Sequence, residues 1–189
     1  MNMKAAGKIR GWAAGGLCLT AFLAFFPAAP SAETGNLEAG VKAAYVYNFT
    51  QFVEWETPAS TGAAPGVFTV CVLGEGAVPA ALEALAGRKA GAEEIKVVRH
   101  NDASLFPGCR ILFVSRSAAK SLPDTLKGLG RGTLTVSDIP GFARRGGIIG
   151  FFTEEKKVRI EVNPRLAGEA GLKLSPRLLQ VSKIVGDPR

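Results

Sequence analysis

Two short runs, VFTVCVLG (67–74) and CRILFVS (109–115), constrain the fold of this chain most strongly, because their apolar residues are nearly continuous. A strand with one wet face alternates apolar and polar side chains. A strand that does not alternate is covered on both faces, as in a parallel sheet. Helical segments separate the strands. VPAALEALAG (78–87) reads as a helix stopped by Gly87, and SLPDTLKGLG (121–130) as a short helix with Pro123 in its first turn. IKVVRH (95–100) and TLTVSD (133–138) supply two more strands. The alternation predicts βαβ units and an α/β fold with a mostly parallel central sheet flanked by helices.

The style then changes. GGIIGFF and KVRIEVN flank TEEK, which predicts an antiparallel C-terminal hairpin. In its second arm Val158, Ile160 and Val162 alternate with Lys157, Arg159 and Glu161, so one face is expected to be wet. Two final helices each open on a cap followed by proline, Asn163-Pro164 and Ser175-Pro176. At the other end, VKAAYVYNFTQFVEW places Val41, Tyr45, Asn48, Phe52 and Trp55 at helical spacing. This predicts a helix over 37–56 whose aromatic stripe covers the sheet, with Asn48 satisfying nearby backbone. Self-association through that stripe, with Asn48 fixing register, is the alternative. The sequon Asn48-Phe-Thr50 lies inside that helix, where a glycan would disrupt the packed face. Residues 33–36 read as disordered and 57–66 as a linker.

The first 32 residues have the form of a secretory signal peptide. Lys4, Lys8 and Arg10 precede LCLTAFLAFFPAA, and small residues offer cleavage after Ser31 or Ala32. Leu17 ahead of Cys18 argues against a lipoprotein site. Residues 33–189 are then one exported domain, periplasmic in a bacterium. The chain carries +7. Loss of those three basic residues leaves +4, ordinary for a soluble domain and without a basic stripe, so nucleic acid is not an expected partner.

Catalytic chemistry is sparse. His100 is the sole histidine and reads as a surface residue rather than a base. No G-x-S-x-G is present. One histidine and two distant cysteines lack the spacing of a zinc site, so no metal or other cofactor is expected. GEGAVP lacks the third glycine of a dinucleotide loop. Gly74 and Asp138, at strand ends, are the candidate small-ligand contacts, although turn chemistry in SDIPG is the simpler account of Asp138. With Cys18 removed, Cys71 and Cys109 remain. An oxidising compartment makes them a candidate disulfide; two reduced core cysteines are the alternative.

VKAAYVYNFTQFVEW, VCVLG, CRILFVS, LTVSD with GGIIGFF, and VRIEVNPRLAGEAGLKLSPRLLQVSKIV, in this order and spacing, resemble the YfiR family over about residues 40–185. The resemblance implies a non-enzymatic periplasmic repressor that binds the periplasmic domain of an inner-membrane diguanylate cyclase (YfiN-like). Such a protein links envelope and redox state to cyclic-di-GMP and biofilm formation. It also implies an outer-membrane lipoprotein (YfiB-like) as sequestering partner, a homodimer, and Cys71–Cys109 as the redox-responsive disulfide. A further cysteine pair near the glycine hairpin in the best-known member of the family has no counterpart, since residues 140–189 contain no cysteine. Phe151 or Phe152, Arg165 and Arg177 are the expected partner contacts, being aromatic and arginine residues of the kind enriched in interfaces. The rival function is a periplasmic sensor of a nucleotide or amino acid acting on another receptor.

Overall fold

The computed structural model describes residues 32–56, 64–100 and 108–186, with side chains from Gly35 onward. Residues 1–31, 57–63, 101–107 and 187–189, which hold nearly all of the expected signal segment and most of the expected linker, lie outside the described residues. In chain order the elements are α1 (Ala32–Phe52), β1 (Val53–Trp55), β2 (Val67–Leu73), α2 (Ala77–Leu82), β3 (Lys89–Ala90), β4 (Glu93–His100) and β5 (Ile111–Val114). They continue with α3 (Leu122–Lys127), β6 (Leu134–Ser137), β7 (Ile149–Glu154), β8 (Lys157–Val162), α4 (Pro164–Glu169), β9 (Leu172–Leu174), α5 (Pro176–Gln180) and β10 (Lys183–Ile184).

Eight strands form one sheet in the order β10-β8-β7-β6-β5-β2-β4-β3. Its centre is parallel: β2 pairs with β4 and β5, β5 with β6, and β6 with β7. The hairpin β7–β8 is antiparallel. Its turn places Glu155 and Lys156 at positive φ, the twist that suits a two-residue hairpin. Val70 and Val72 of β2 are fully buried, and so are Cys71 and Leu73. The strand is therefore covered on both faces, as its unbroken apolar run demands. On one face Val70, Val72, Ile111, Phe113, Leu134 and Val136 pack against α1, α2 and the C-terminal helices. On the other, Cys71, Leu73, Leu112 and Val114 pack with Leu122, Ile139 and Phe142. The expected α/β sheet flanked by helices is what the chain builds.

Several expectations give way. α1 begins at Ala32, so residues 33–36 are helical rather than disordered. It ends at Phe52, and Val53–Trp55 pairs antiparallel with β9. A helix-spaced aromatic run thus closes in a strand, because the backbone of β9 offers it partners. The buried stripe of α1 is Ala39, Ala43, Val46 and Phe49. Small side chains let the helix sit close to α2, while Val41 and Asn48 are exposed and Tyr45 and Phe52 are half-buried at the edge of the core. Asn48 is exposed and satisfies no buried backbone. The outer face of β8 is not uniformly wet either: Glu161 is buried, beside Gly150 and Arg144. Cys109 precedes β5 by two residues rather than opening it. Both C-terminal caps form as read. The Leu166 N–H donates to Asn163 Oδ1, and the Leu178 N–H to Ser175 Oγ.

Candidate functional site

Three places bring the candidate residues together. The first is the parallel strands' C-terminal edge. A strand order with β4, β2, β5, β6 adjacent reverses direction of travel at β2, and α/β folds leave a crevice at such a switch point. Here a cleft of about 290 Å³ is lined by α1, the start of α2 and the turns after β5 and β6. Gly74 supports it from below. Its φ is +90°, and a Cβ there would meet Ser117 Oγ at 2.5 Å. The glycine lets the turn pack closely against the Arg116–Ser121 3-10 segment. Ser115 Oγ donates to the Glu75 carbonyl, and the Glu75 N–H donates to Ser117 Oγ, so the cleft floor is tied across two strands.

Asp138 lies in this cleft, as its strand-end position implies. Arg116 Nε donates to its carbonyl at 2.8 Å and stands 3.5 Å from Oδ2. Lys42 was not singled out by the sequence, yet it is the most buried cation of the site. It is 4% exposed, 2.6 Å from Glu38 and 3.8 Å from Asp138 Oδ2. A buried ammonium requires carboxylate partners, and these two provide them. Asp138 Oδ1 is buried and has no hydrogen-bond donor from the protein among the described residues. The sequence signal for Lys42 is its place as the sole cation of α1, four residues after Glu38.

The second place is the cysteine pair. Cys71 and Cys109 are disulfide-bonded, with Cα atoms 5.8 Å apart. β2 lies beside β5, so a cysteine in one strand and one just before its neighbour meet on the same face. Both sulfurs belong to the smaller apolar cluster. His100 ends β4, in register with Leu73. The sequence distance that spoke against a cysteine–histidine constellation vanishes in space: the ligand atoms of Cys71, Cys109 and His100 all lie within 4.8 Å of one another.

The third place is the outer face of α1. Leu37 and Val41 are 71% and 39% exposed and border the hairpin tip with Thr153, Lys156 and Lys157. Further along, Tyr45, Asn48 and Phe52 form a groove with Arg177, Leu178 and Val181, and Val181 is 65% exposed. Arg177 joins this face. Phe151 does not: it is 2% exposed and packs in the core against Tyr45 and Phe49. Phe152 points to the opposite face of the sheet, as adjacent strand residues must, and Lys183 sits over its ring. Arg165 is exposed on α4 and pairs with Glu169. Of the two phenylalanines offered, Phe152 is thus the one left as an expected partner contact, on the face of the sheet opposite to Phe151.

The family model described as YfiR/HmsC-like matches residues 39–183. No curated protein matches the chain.

Proposed function

We propose that this chain, which belongs to the YfiR/HmsC-like family, represses an inner-membrane diguanylate cyclase by binding its periplasmic domain. Members of that family are periplasmic regulators, and this coarser role holds for the chain as a member. The match over 39–183 is the observation that carries the reading, because it spans both apolar cores and most of the described residues. Export by cleavage after Ser31 or Ala32 belongs to the same proposal. No helix among the described residues is long and apolar enough to cross a membrane.

The docking face is the outer stripe of α1 with α5. Exposed Leu37, Val41 and Val181 supply apolar anchors, and Lys156, Lys157 and Arg177 supply a cationic rim. An apolar centre with a charged rim is the anatomy of a protein interface. The rim's sign calls for an acidic surface on the cyclase domain. A YfiB-like lipoprotein would release the cyclase by competing for the chain. The test is cellular cyclic-di-GMP in a deletion strain complemented with wild type, Val181→Glu or Arg177→Glu. Deletion is expected to raise the nucleotide, wild type to restore it, and both variants to fail at normal protein level. No rise on deletion, in a strain with an active periplasmically sensed cyclase, removes the repressor reading. Restoration by both variants moves the docking face elsewhere, with Phe152 and Arg165 next. The proposal includes a homodimer. Sedimentation separates the two uses of α1, since a self-association face would yield a monomer on Val181→Glu.

A second reading rests on the strand-end cleft. Asp138 Oδ1 lacks a donor while Lys42 and Arg116 offer positive charge nearby. A small ligand bearing both an ammonium and an anionic group, as an amino acid does, fits that pattern. A thermal-shift series with amino acids and nucleotides tests it, because a ligand of the folded state raises Tm. An unchanged Tm throughout rules it out.

A further inference from the structure

We propose that the reduced form of this protein binds Zn²⁺ through Cys71, Cys109 and His100. The proposal is independent of any cyclase partner. Three donor atoms of the types that zinc prefers lie within 4.8 Å of one another, placed by the ends of β2 and β4 and the segment entering β5. Around a tetrahedral zinc, two thiolates stand about 3.8 Å apart, given Zn–S bonds of about 2.3 Å. Opening the disulfide therefore needs a small separation of the sulfurs. The Cα separation of 5.8 Å is set by neighbouring chain segments and does not have to change.

The surroundings favour this ion over harder ones. Leu73, Leu112 and Val114 pack around the sulfurs, and no carboxylate belongs to the group. Calcium and magnesium require oxygen donors. Zinc with two thiolates and a neutral imidazole has no net charge, so its burial in an apolar cluster avoids the cost of an isolated ion. Both cysteines are buried but His100 is only half-buried, which leaves an entry from that side. A fourth position stays open to water or to a donor from another molecule.

The chemistry balances in two steps. A dithiol reductant transfers two electrons and two protons to the Cys71–Cys109 bond, becoming a disulfide and leaving two thiols. Zn²⁺ then replaces the two thiol protons, which pass to solvent. The oxidised protein, with both sulfurs in one covalent bond, holds no such site. The pair would thus exchange one cross-link for another: a disulfide in oxidising conditions, a zinc bridge in reducing ones.

The experiment uses the processed chain, reduced with a phosphine that does not bind zinc and then freed of it under argon. Zn²⁺ is titrated against a chromophoric chelator, and Tm is recorded with and without one equivalent. The expected result is one Zn²⁺ per reduced chain, none per oxidised chain, and a higher Tm for the reduced chain with zinc. His100→Ala keeps both cysteines and is expected to weaken binding at least about tenfold. Cys71→Ser is expected to abolish it. If Cys71→Ser does not fold, His100→Ala and the redox comparison still decide. Reduced wild type that takes up no zinc, or takes it up without a rise in Tm, overturns the proposal. Equal affinity in His100→Ala removes His100 from the site and overturns it as stated.

Discussion

Reducing the Cys71–Cys109 bond is expected to destabilise the fold by about 4 kcal/mol. The two cysteines are 38 residues apart, so the bond closes a loop of that size in the unfolded chain. In the chain-entropy account the entropy removed is about 2.1 cal/mol/K plus 1.5R ln n, or about 13 cal/mol/K, which gives about 4 kcal/mol at 25 °C. The folded state gains little on opening, because the Cα atoms are held 5.8 Å apart by adjacent strands whether or not the sulfurs are joined. Two buried thiols then behave as small apolar groups. The assay is urea unfolding of oxidised and phosphine-reduced protein in a metal chelator, followed by tryptophan emission. With a slope of about 2 kcal/mol/M, the midpoint should fall by about 2 M. Coincident midpoints would refute the reasoning. They would mean that the unfolded ensemble already holds the 71–109 loop closed.

Four further substitutions test the packing. Phe49→Ala removes a ring that is 1% exposed and stacked on Phe151, and should cost about 3–5 kcal/mol by calorimetry. Gly147→Ala would put a Cβ about 2.0 Å from the buried ring of Phe142, so a loss of about 2 kcal/mol or more in urea is expected. Asn163→Ala removes the cap of α4 and the donor to the Ala143 carbonyl, for about 1–3 kcal/mol by the same assay. Asn48→Ala, on the exposed side of α1, should shift stability by less than about 0.5 kcal/mol.

The sheet was legible because its signal is local and redundant. Each core strand carries its own apolar run, and each C-terminal helix its own cap and proline. What misled was periodicity without knowledge of the neighbour. In α1 two stripes compete, one of small aliphatics and one of aromatics, and hydrophobicity favours the aromatic one. The face of α1 packed towards α2 and the core carries Ala39, Ala43 and Val46 instead. β1, β3, β9 and β10 span only two or three residues each, too short to leave a pattern. The site divides the same way. Asp138 follows from its place at a strand end. Lys42 and the approach of His100 to the cysteines depend on which strands are neighbours, which no stretch of sequence states.

The sheet's two faces bear on how redox state would reach a partner. The disulfide belongs to the cluster with Leu122 and Phe142, while the outer stripe of α1 rides on the opposite face. No side chain of the proposed docking face belongs to the disulfide's cluster. Opening the bond therefore cannot reshape α1 by direct contact. Its route is through β2, whose odd residues face the sulfur cluster and whose even residues, Val70 and Val72, lie under α1. A loss of about 4 kcal/mol is a large share of the 5–15 kcal/mol that holds a typical domain. Redox control in this chain would thus act on the population of the folded regulator rather than on the shape of its surface. The distinction is measurable: partner affinity per folded molecule should be equal for oxidised and reduced protein, while the folded fraction at elevated temperature should not. A reduced protein that is fully folded yet binds its partner more weakly would show that the sheet transmits a change of shape.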